Sequence, residues 1–461
     1  MRWSAGLVFV LVVSCAGTEK KRRLPLDLPE RFSASGARRP AAKWWEAFGD
    51  EGLSRLVEEA SGVNFGLRAA WARLDAARAV AAKAGAGVMP TATVTAGAGR
   101  STQKVPPASR TYATAYNLGA GVSYEVDLWG GIRDAADAAR LDAAASEYDL
   151  QAAAVTLSAQ VVGVWLRLVA QKMRLRLIGK QMEVRRRRLS AVEERFRHGR
   201  TAAMDVLQER QALEALKGER ELAAAEISVL EHQLAVLVGR APGKTKFDVP
   251  DDLPALPPLP ATGLPCGLVR RRPDLRALEA RLCAADARVA AAVAERFPKL
   301  TLSANMEGSS GRVEDVLRNW FGSIAAGLLA PVFDAGRRRA EVARARAAAR
   351  EVLNSYAEAV LNALREVEDA LVRERRQAAY VASLEKQLTH AEAALEQALE
   401  AYASGAGDFL RCLGATAAVE QLQQQLTAAR LQLLLYRVDL YRAMAGGWPL
   451  RRPHGTEEDS K

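Results

Sequence analysis

Histidine and cysteine are both scarce in this chain, four of each in 461 residues. His198, His232, His390 and His454 have no partner at catalytic or metal-ligand spacing, and the first three read as helix-surface or turn residues. An enzyme is therefore the reading the sequence supports least. Cys15, Cys266, Cys283 and Cys412 follow no metal pattern. If Cys15 is modified, the other three cannot all pair internally, and free thiols in small apolar niches are expected. Aromatics are 6% of residues against 49% for the hydrophobic set. Alanine dominates that set, and it suits helices that approach closely more than a thick core. After the first residues no stretch is apolar for 18 positions, so no membrane-spanning helix is expected, and any crossing would use strands. A net charge of +11 raises nucleic acid as a partner. The arginines, however, are spread along segments that also carry Glu and Asp, and no base-reading or stacking motif accompanies them. Arg185–Arg188 is the one concentrated run, and it reads as a solvated helix face.

What the chain does have is itself, twice. Arg73-Leu74 recurs as Arg281-Leu282 (281 − 73 = 208), and Pro90 recurs as Pro298 (298 − 90 = 208). Asp127 recurs as Asp334 (334 − 127 = 207), and Phe196-x-x-Gly199 as Tyr402-x-x-Gly405 (405 − 199 = 206). Four landmarks in one order at nearly one offset mark an internal repeat. Within each copy the apolar period switches from helical to two and back again.

The first residues suggest a compartment. Arg2 and the apolar run Gly6–Val13 fit a secretory signal over residues 1–14. The run ends at Val12-Val13-Ser14-Cys15, similar to the lipobox of bacterial lipoproteins, where the thiol receives a lipid. Residue 16 is Ala, which favours outer-membrane sorting. Residues 15–43 read as an extended leader from that anchor.

Repeat one spans 44–238 and repeat two 269–447. Between them, residues 239–268 hold seven prolines and are expected to be a non-helical linker. Strands are expected at about 91–100 and 114–128, where Leu118, Ala120, Val122, Tyr124 and Val126 alternate with polar or small residues. Their counterparts are about 299–308 and 320–333, the last too apolar on both parities to assign a face. Helical hairpins follow at 132–238, turning at Gly199, and at 336–445, turning at Gly405. The first arm of some 67 residues is roughly 100 Å long. Sustained heptads, such as Leu213, Leu216, Ala223, Ile227, Leu230, Leu234 and Leu237, mean helices packed side by side. Residues 448–461 read as a disordered tail.

Two strands per copy give four per chain. Four strands cannot close a lumen-bearing barrel, and open edges are not tolerated in lipid. The chain must therefore oligomerise, and a ring of three would supply twelve strands and twelve helical staves around one axis.

Several motifs resemble one family. Arg271-Arg272-Pro273-Asp274, Phe297-Pro298, Pro331-Val332-Phe333-Asp334-x-Gly336, Tyr124-Glu125-Val126-Asp127-Leu128-Trp129-Gly130 and Tyr402-x-x-Gly405 look like signatures of TolC-type outer-membrane efflux proteins. The lipid-anchored, NodT/OprM-like branch is the nearest in pattern. That resemblance implies a mainly helical homotrimer with a 12-stranded membrane barrel and a 12-helix periplasmic tunnel, in the outer membrane of a Gram-negative bacterium. It implies a passive conduit for small molecules, docked to a periplasmic adaptor and an inner-membrane pump of the RND type. The expected lipid on Cys15 is the only non-protein group, and no cofactor, metal or nucleic acid is implied. By the same resemblance the tunnel closes near the turn at Gly405, with Asp408 as the available gate acid, and the turns at Gly199 and Gly405 meet the adaptor. Asp408 serves equally as a helix N-cap. Asp205 stands six residues past Gly199, where the family often has an acid, but the matching place in repeat two is Arg411. Two rivals remain: a type I protein-secretion conduit, and a periplasmic coiled-coil scaffold, which leaves the strands unexplained.

Overall fold

The computed structural model describes residues 12–13, 22–23, 26–37, 41–107 and 110–444. Cys15, most of the signal segment and the tail 448–461 lie outside the described residues. Repeat one comprises α1 (Glu51–Val63), α2 (Phe65–Ala86), β1 (Thr91–Gln103), β2 (Thr111–Val126), α3 (Gly131–Arg197) and α4 (Ala203–Leu237). Then come α5 (Pro265–Val269), α6 (Pro273–Ala294), β3 (Lys299–Ser310), β4 (Trp320–Leu329), α7 (Arg337–Ala403) and α8 (Phe409–Met444). The short α5 corrects the expectation that the Pro-rich linker is wholly non-helical. Pro265 occupies its first turn, where the missing N–H costs nothing and the fixed φ suits a helix.

Helix starts are capped where the sequence offers an acceptor. Asp50 accepts from Leu53 N at 2.9 Å to begin α1, and Asn64 accepts from Leu67 N at 3.0 Å to begin α2. The two 67-residue helices, α3 and α7, are each roughly 100 Å long. Near the strands α2, α3, α6 and α7 pack side by side in that order. Farther away α4 lies along α3, and α8 along α7.

The shorter helices are spliced end to end. Asn64 Nδ2 donates to Leu237 O at 2.9 Å, joining the end of α4 to the start of α2. In repeat two Arg272 Nη1 donates to Ala443 O at 3.2 Å, joining the end of α8 to the start of α6. Arg272 also grips Asp274 at 2.7 Å and Glu366 of α7 at 2.8 Å. The Arg-Pro-Asp motif is thus a joint between three helices.

The largest apolar cluster lies beside these splices. Trp44 stacks on Tyr441 at 5.3 Å, and Trp165 Nε1 donates to Asp50 at 2.8 Å. The leader packs across this level: Phe32 joins the cluster that holds Leu364 and Leu371, and Ser33 N donates to Glu368 at 2.9 Å. An 18-residue window of α3 is apolar enough to cross a membrane, contrary to the sequence expectation. It is 72% buried inside the protein, which identifies it as core, not a span.

Candidate functional site

The strands form one antiparallel sheet in the order β1-β2-β3-β4. Opposed residues share a face, so the register assigns both faces. One row is Ala92–Val122–Ala304–Ile324, and the next row on that face joins Val94, Ala120, Met306 and Gly322. The other face carries rows such as Thr93–Gly121–Asn305–Ser323. This places Ile324, Ala326 and Leu328 on the apolar face and Ser323, Ala325 and Gly327 on the polar one, a division the sequence of β4 leaves open. Most strand residues are exposed, including Val94, Ile324 and Leu328. Among the described residues both β1 and β4 have an unpaired edge. Such a sheet has one apolar face, one polar face and two open edges, and no described residue pairs with either edge.

The passage from strand to helix is built the same way in both copies. Asp127 accepts from Ile132 N and Arg133 N at 3.2 and 3.0 Å, after Gly130 at φ 75°. Asp334 accepts from Gly336 N and Arg338 N at 3.0 and 3.2 Å, with Gly336 at φ 83°. Backbone N–H groups and Arg338 hold the Asp334 carboxyl below its ordinary pKa. Trp129 Nε1 donates to Pro298 O at 2.7 Å and its ring stacks on Phe297 at 4.7 Å, so the repeats interlock at this level.

At the far end the hairpins turn through Gly199 at φ 69° and Gly405 at φ 76°, the left-handed region that favours glycine. Arg200 N reaches Arg195 O, and Ala406 N reaches Ala401 O, both at 2.9 Å, closing the two helix ends in the same manner. The structure brings these tips together. Val192, Val206 and Phe409 form one cluster with Tyr402, and the Arg195 guanidinium lies 4.6 Å over the Tyr402 ring. Asp408 is exposed and accepts from Leu410 N at 3.2 Å, the N-capping contact. Asp205 accepts from the Thr201 hydroxyl and from Ala202 N, so it serves its own turn.

Between the hairpins lies a charged seam that sequence reading missed. Arg185 of α3 is 3% exposed and contacts Glu420 of α8 at 2.5 Å and Glu209 of α4 at 3.4 Å. Arg188 donates to Thr416 at 2.6 Å and lies 3.7 Å from Glu209. Burial pulls the Arg185 pKa down, but bonds to Glu420 and the charges of Glu420 and Glu209 outweigh it and raise it overall. The solvated-face expectation thus holds for Arg186 and Arg187, which are exposed, and fails for Arg185 and Arg188. Their i, i+3 spacing puts the latter two on one inward face. Cys412 and Cys266 are free thiols, while Cys283 is not, which corrects that expectation for one of the three. Burial pushes the Cys412 thiol pKa up. No group of His, Cys, Asp or Glu among the described residues could hold a metal ion.

Comparison with known proteins matches these features. The family described as outer membrane efflux protein fits residues 56–240 and 267–446, one block per repeat. The pyoverdine export outer membrane protein OpmQ of Pseudomonas aeruginosa is 33% identical, over 95% of each chain. Nodulation protein T of Rhizobium leguminosarum bv. trifolii is 27% identical, over 93% of each. The solved structure of the outer-membrane channel OprN superposes with a TM-score of 0.86 at 31% identity, covering 94% of this chain and 99% of that one.

Proposed function

Because this chain belongs to the outer membrane efflux protein family, we propose that three copies close one barrel, the β4 edge of each pairing with the β1 edge of the next. The protein is an outer-membrane efflux channel and not an enzyme. Four strands from each of three copies make twelve, with the Ala92–Val122–Ala304–Ile324 face against lipid and the Thr93–Ser323 face around water. The helices α2, α3, α6 and α7 of each copy continue that wall as a twelve-stave tunnel into the periplasm.

The two unpaired sheet edges carry this reading, since open edges have no place in hydrocarbon. The cargo is a class of small molecules that passes without chemical change. The hairpin tips at Gly199 and Gly405 form the periplasmic entrance and meet a periplasmic adaptor, which joins the channel to an inner-membrane RND-type pump. A lipid on Cys15 tethers the leader to the same membrane.

The test is the assembly itself. An outer-membrane fraction should yield a trimer band that collapses to monomer on heating, and the purified trimer should conduct ions in planar bilayers. A stable monomer in plain buffer would overturn the proposal. Labelled palmitate should enter the wild-type chain and not Cys15→Ser.

A further inference from the structure

The two long helices differ sharply just below the strands. The first fourteen residues of α7, Arg337–Arg350, carry six arginines and one acid, Glu341. The first fourteen of α3, Gly131–Ala144, carry Arg133 and Arg140 against Asp134, Asp137 and Asp142. The balance is therefore +5 (6 − 1) against −1 (2 − 3). On α7, Arg338 is used by Asp334 at 3.1 Å and Arg344 by Glu341 at 2.6 Å. Arg339, Arg346 and Arg350 are exposed and make no ion pair among the described residues.

These three share a face, at spacings of seven (346 − 339) and four (350 − 346). About five turns beyond Arg350 the same face carries Glu368 (368 − 350 = 18), which accepts from Ser33 N of the leader at 2.9 Å. The arginine face is thus the leader's side of the wall. A leader arriving from a membrane anchor cannot enter the tunnel without crossing the wall, so this side is the outer one.

Immediately above stand Val332 and Phe333, 95% and 89% exposed, an apolar belt at the end of the barrel. Arg339 lies about 3 Å below the start of α7, Arg346 about 14 Å and Arg350 about 20 Å. Because α7 runs away from the strands, its side chains tilt back toward them, and long arginine stems extend that reach. A headgroup layer of roughly 5–8 Å begins at the start of α7, so Arg339 stands within it, Arg346 reaches back to it and Arg350 lies below it.

We propose that Arg339 and Arg346 bind anionic phospholipid headgroups of the periplasmic leaflet, holding a lipid collar on α7 that α3 lacks. The inference rests on the membrane placement under the proposed function. The experiment uses the full-length trimer in nanodiscs of mixed phosphatidylglycerol and phosphatidylcholine, with retained lipid quantified by mass spectrometry. Trimer bands and conductance are checked first, and their absence in wild type counts against the channel reading instead.

Wild type should retain phosphatidylglycerol about five-fold or more over its bulk share, falling as salt rises. R339Q/R346Q should bring the ratio close to bulk, with conductance and ion selectivity unchanged. The corresponding double lysine variant should restore the enrichment. Equal phosphatidylglycerol in wild type and the Gln variant would overturn the proposal. So would an altered ion selectivity, which would put the arginines inside the tunnel. Should the Gln variant fail to assemble, wild-type enrichment that is indifferent to salt would overturn it as well.

Discussion

Asn64 in repeat one and Arg272 in repeat two stand 208 residues apart (272 − 64) and make the same splice with different chemistry. The amide of Asn64 donates one neutral bond to Leu237 O and spends its oxygen capping α2. The Arg272 guanidinium reaches Ala443 O and is held by Asp274 and Glu366 as well. The same shift from neutral to charged contacts recurs lower down. Arg437 is 2% exposed, makes two bonds to Glu374 at 2.6 and 2.7 Å and donates to Pro257 O. Its counterparts in repeat one, 206 and 207 residues earlier, are Glu231 and Arg167 (437 − 206, 374 − 207). There Arg167 is exposed and Glu231 lies 3.8 Å from Lys172. A duplicated backbone has thus acquired two electrostatic patterns: the Phe247 segment of the linker accepts from Lys172 in repeat one, and the Pro257 segment accepts from Arg437 in repeat two.

The largest effect should follow from breaking that buried pair. Glu374→Ala leaves the Arg437 charge enclosed with one carbonyl, at a cost of about 3–5 kcal/mol. Glu231→Ala should cost no more than about 1 kcal/mol, since Lys172 keeps its bond to Phe247 O at 2.7 Å. Denaturant unfolding of the solubilised trimer measures both, and equal losses would break the comparison. Next in size is the sheet. Ile324→Lys in β4 and Val122→Lys in β2 lie in one cross-strand row and should each cost about 2–4 kcal/mol of membrane stability. Ser323→Lys, on the other face, should leave trimer yield near wild type. If Ser323→Lys is the damaging change, the two faces have been assigned the wrong way round.

The strands of repeat one are legible because period-two alternation survives wherever one face meets water, as in Leu118, Ala120 and Val122 against Gly119 and Gly121. Trp320–Leu329 gives no such pattern, and its faces are settled only by the pairing of Ile324 with Ala304 and of Ser323 with Asn305. The turns at Gly199 and Gly405 are legible because a helix that must reverse needs a residue at positive φ. The Arg185 seam was not. Four consecutive arginines look like a solvated face, and only the contact of α3 with α8 separates Arg185 and Arg188 from Arg186 and Arg187. The splice at Asn64 was equally hidden, since the repeat offset aligns it with Arg272 but a neutral amide and a guanidinium share no motif.

The smaller effects lie at the tips, where the two copies should match in one respect and part in another. Gly199→Ala and Gly405→Ala each force a Cβ into left-handed backbone, with nothing within 4 Å to clash, so each should cost about 1–2 kcal/mol. Unequal losses would mean the turns do not bear the same strain.

The acids beside them should separate. Asp408→Ala removes the acceptor for Leu410 N and should cost about 1 kcal/mol, whereas Asp408→Asn keeps an acceptor and removes only charge. If three Asp408 carboxylates close the entrance, Asp408→Asn should raise leak conductance in planar bilayers while the unfolding midpoint stays put. Asp205→Asn should do neither at comparable size, because Asp205 is bonded to Thr201 and Ala202 within its own turn. Conductance that stays at the wild-type level in Asp408→Asn would leave that residue a helix cap and move the closure elsewhere along the tips, with Arg195 and Tyr402 the next pair to substitute.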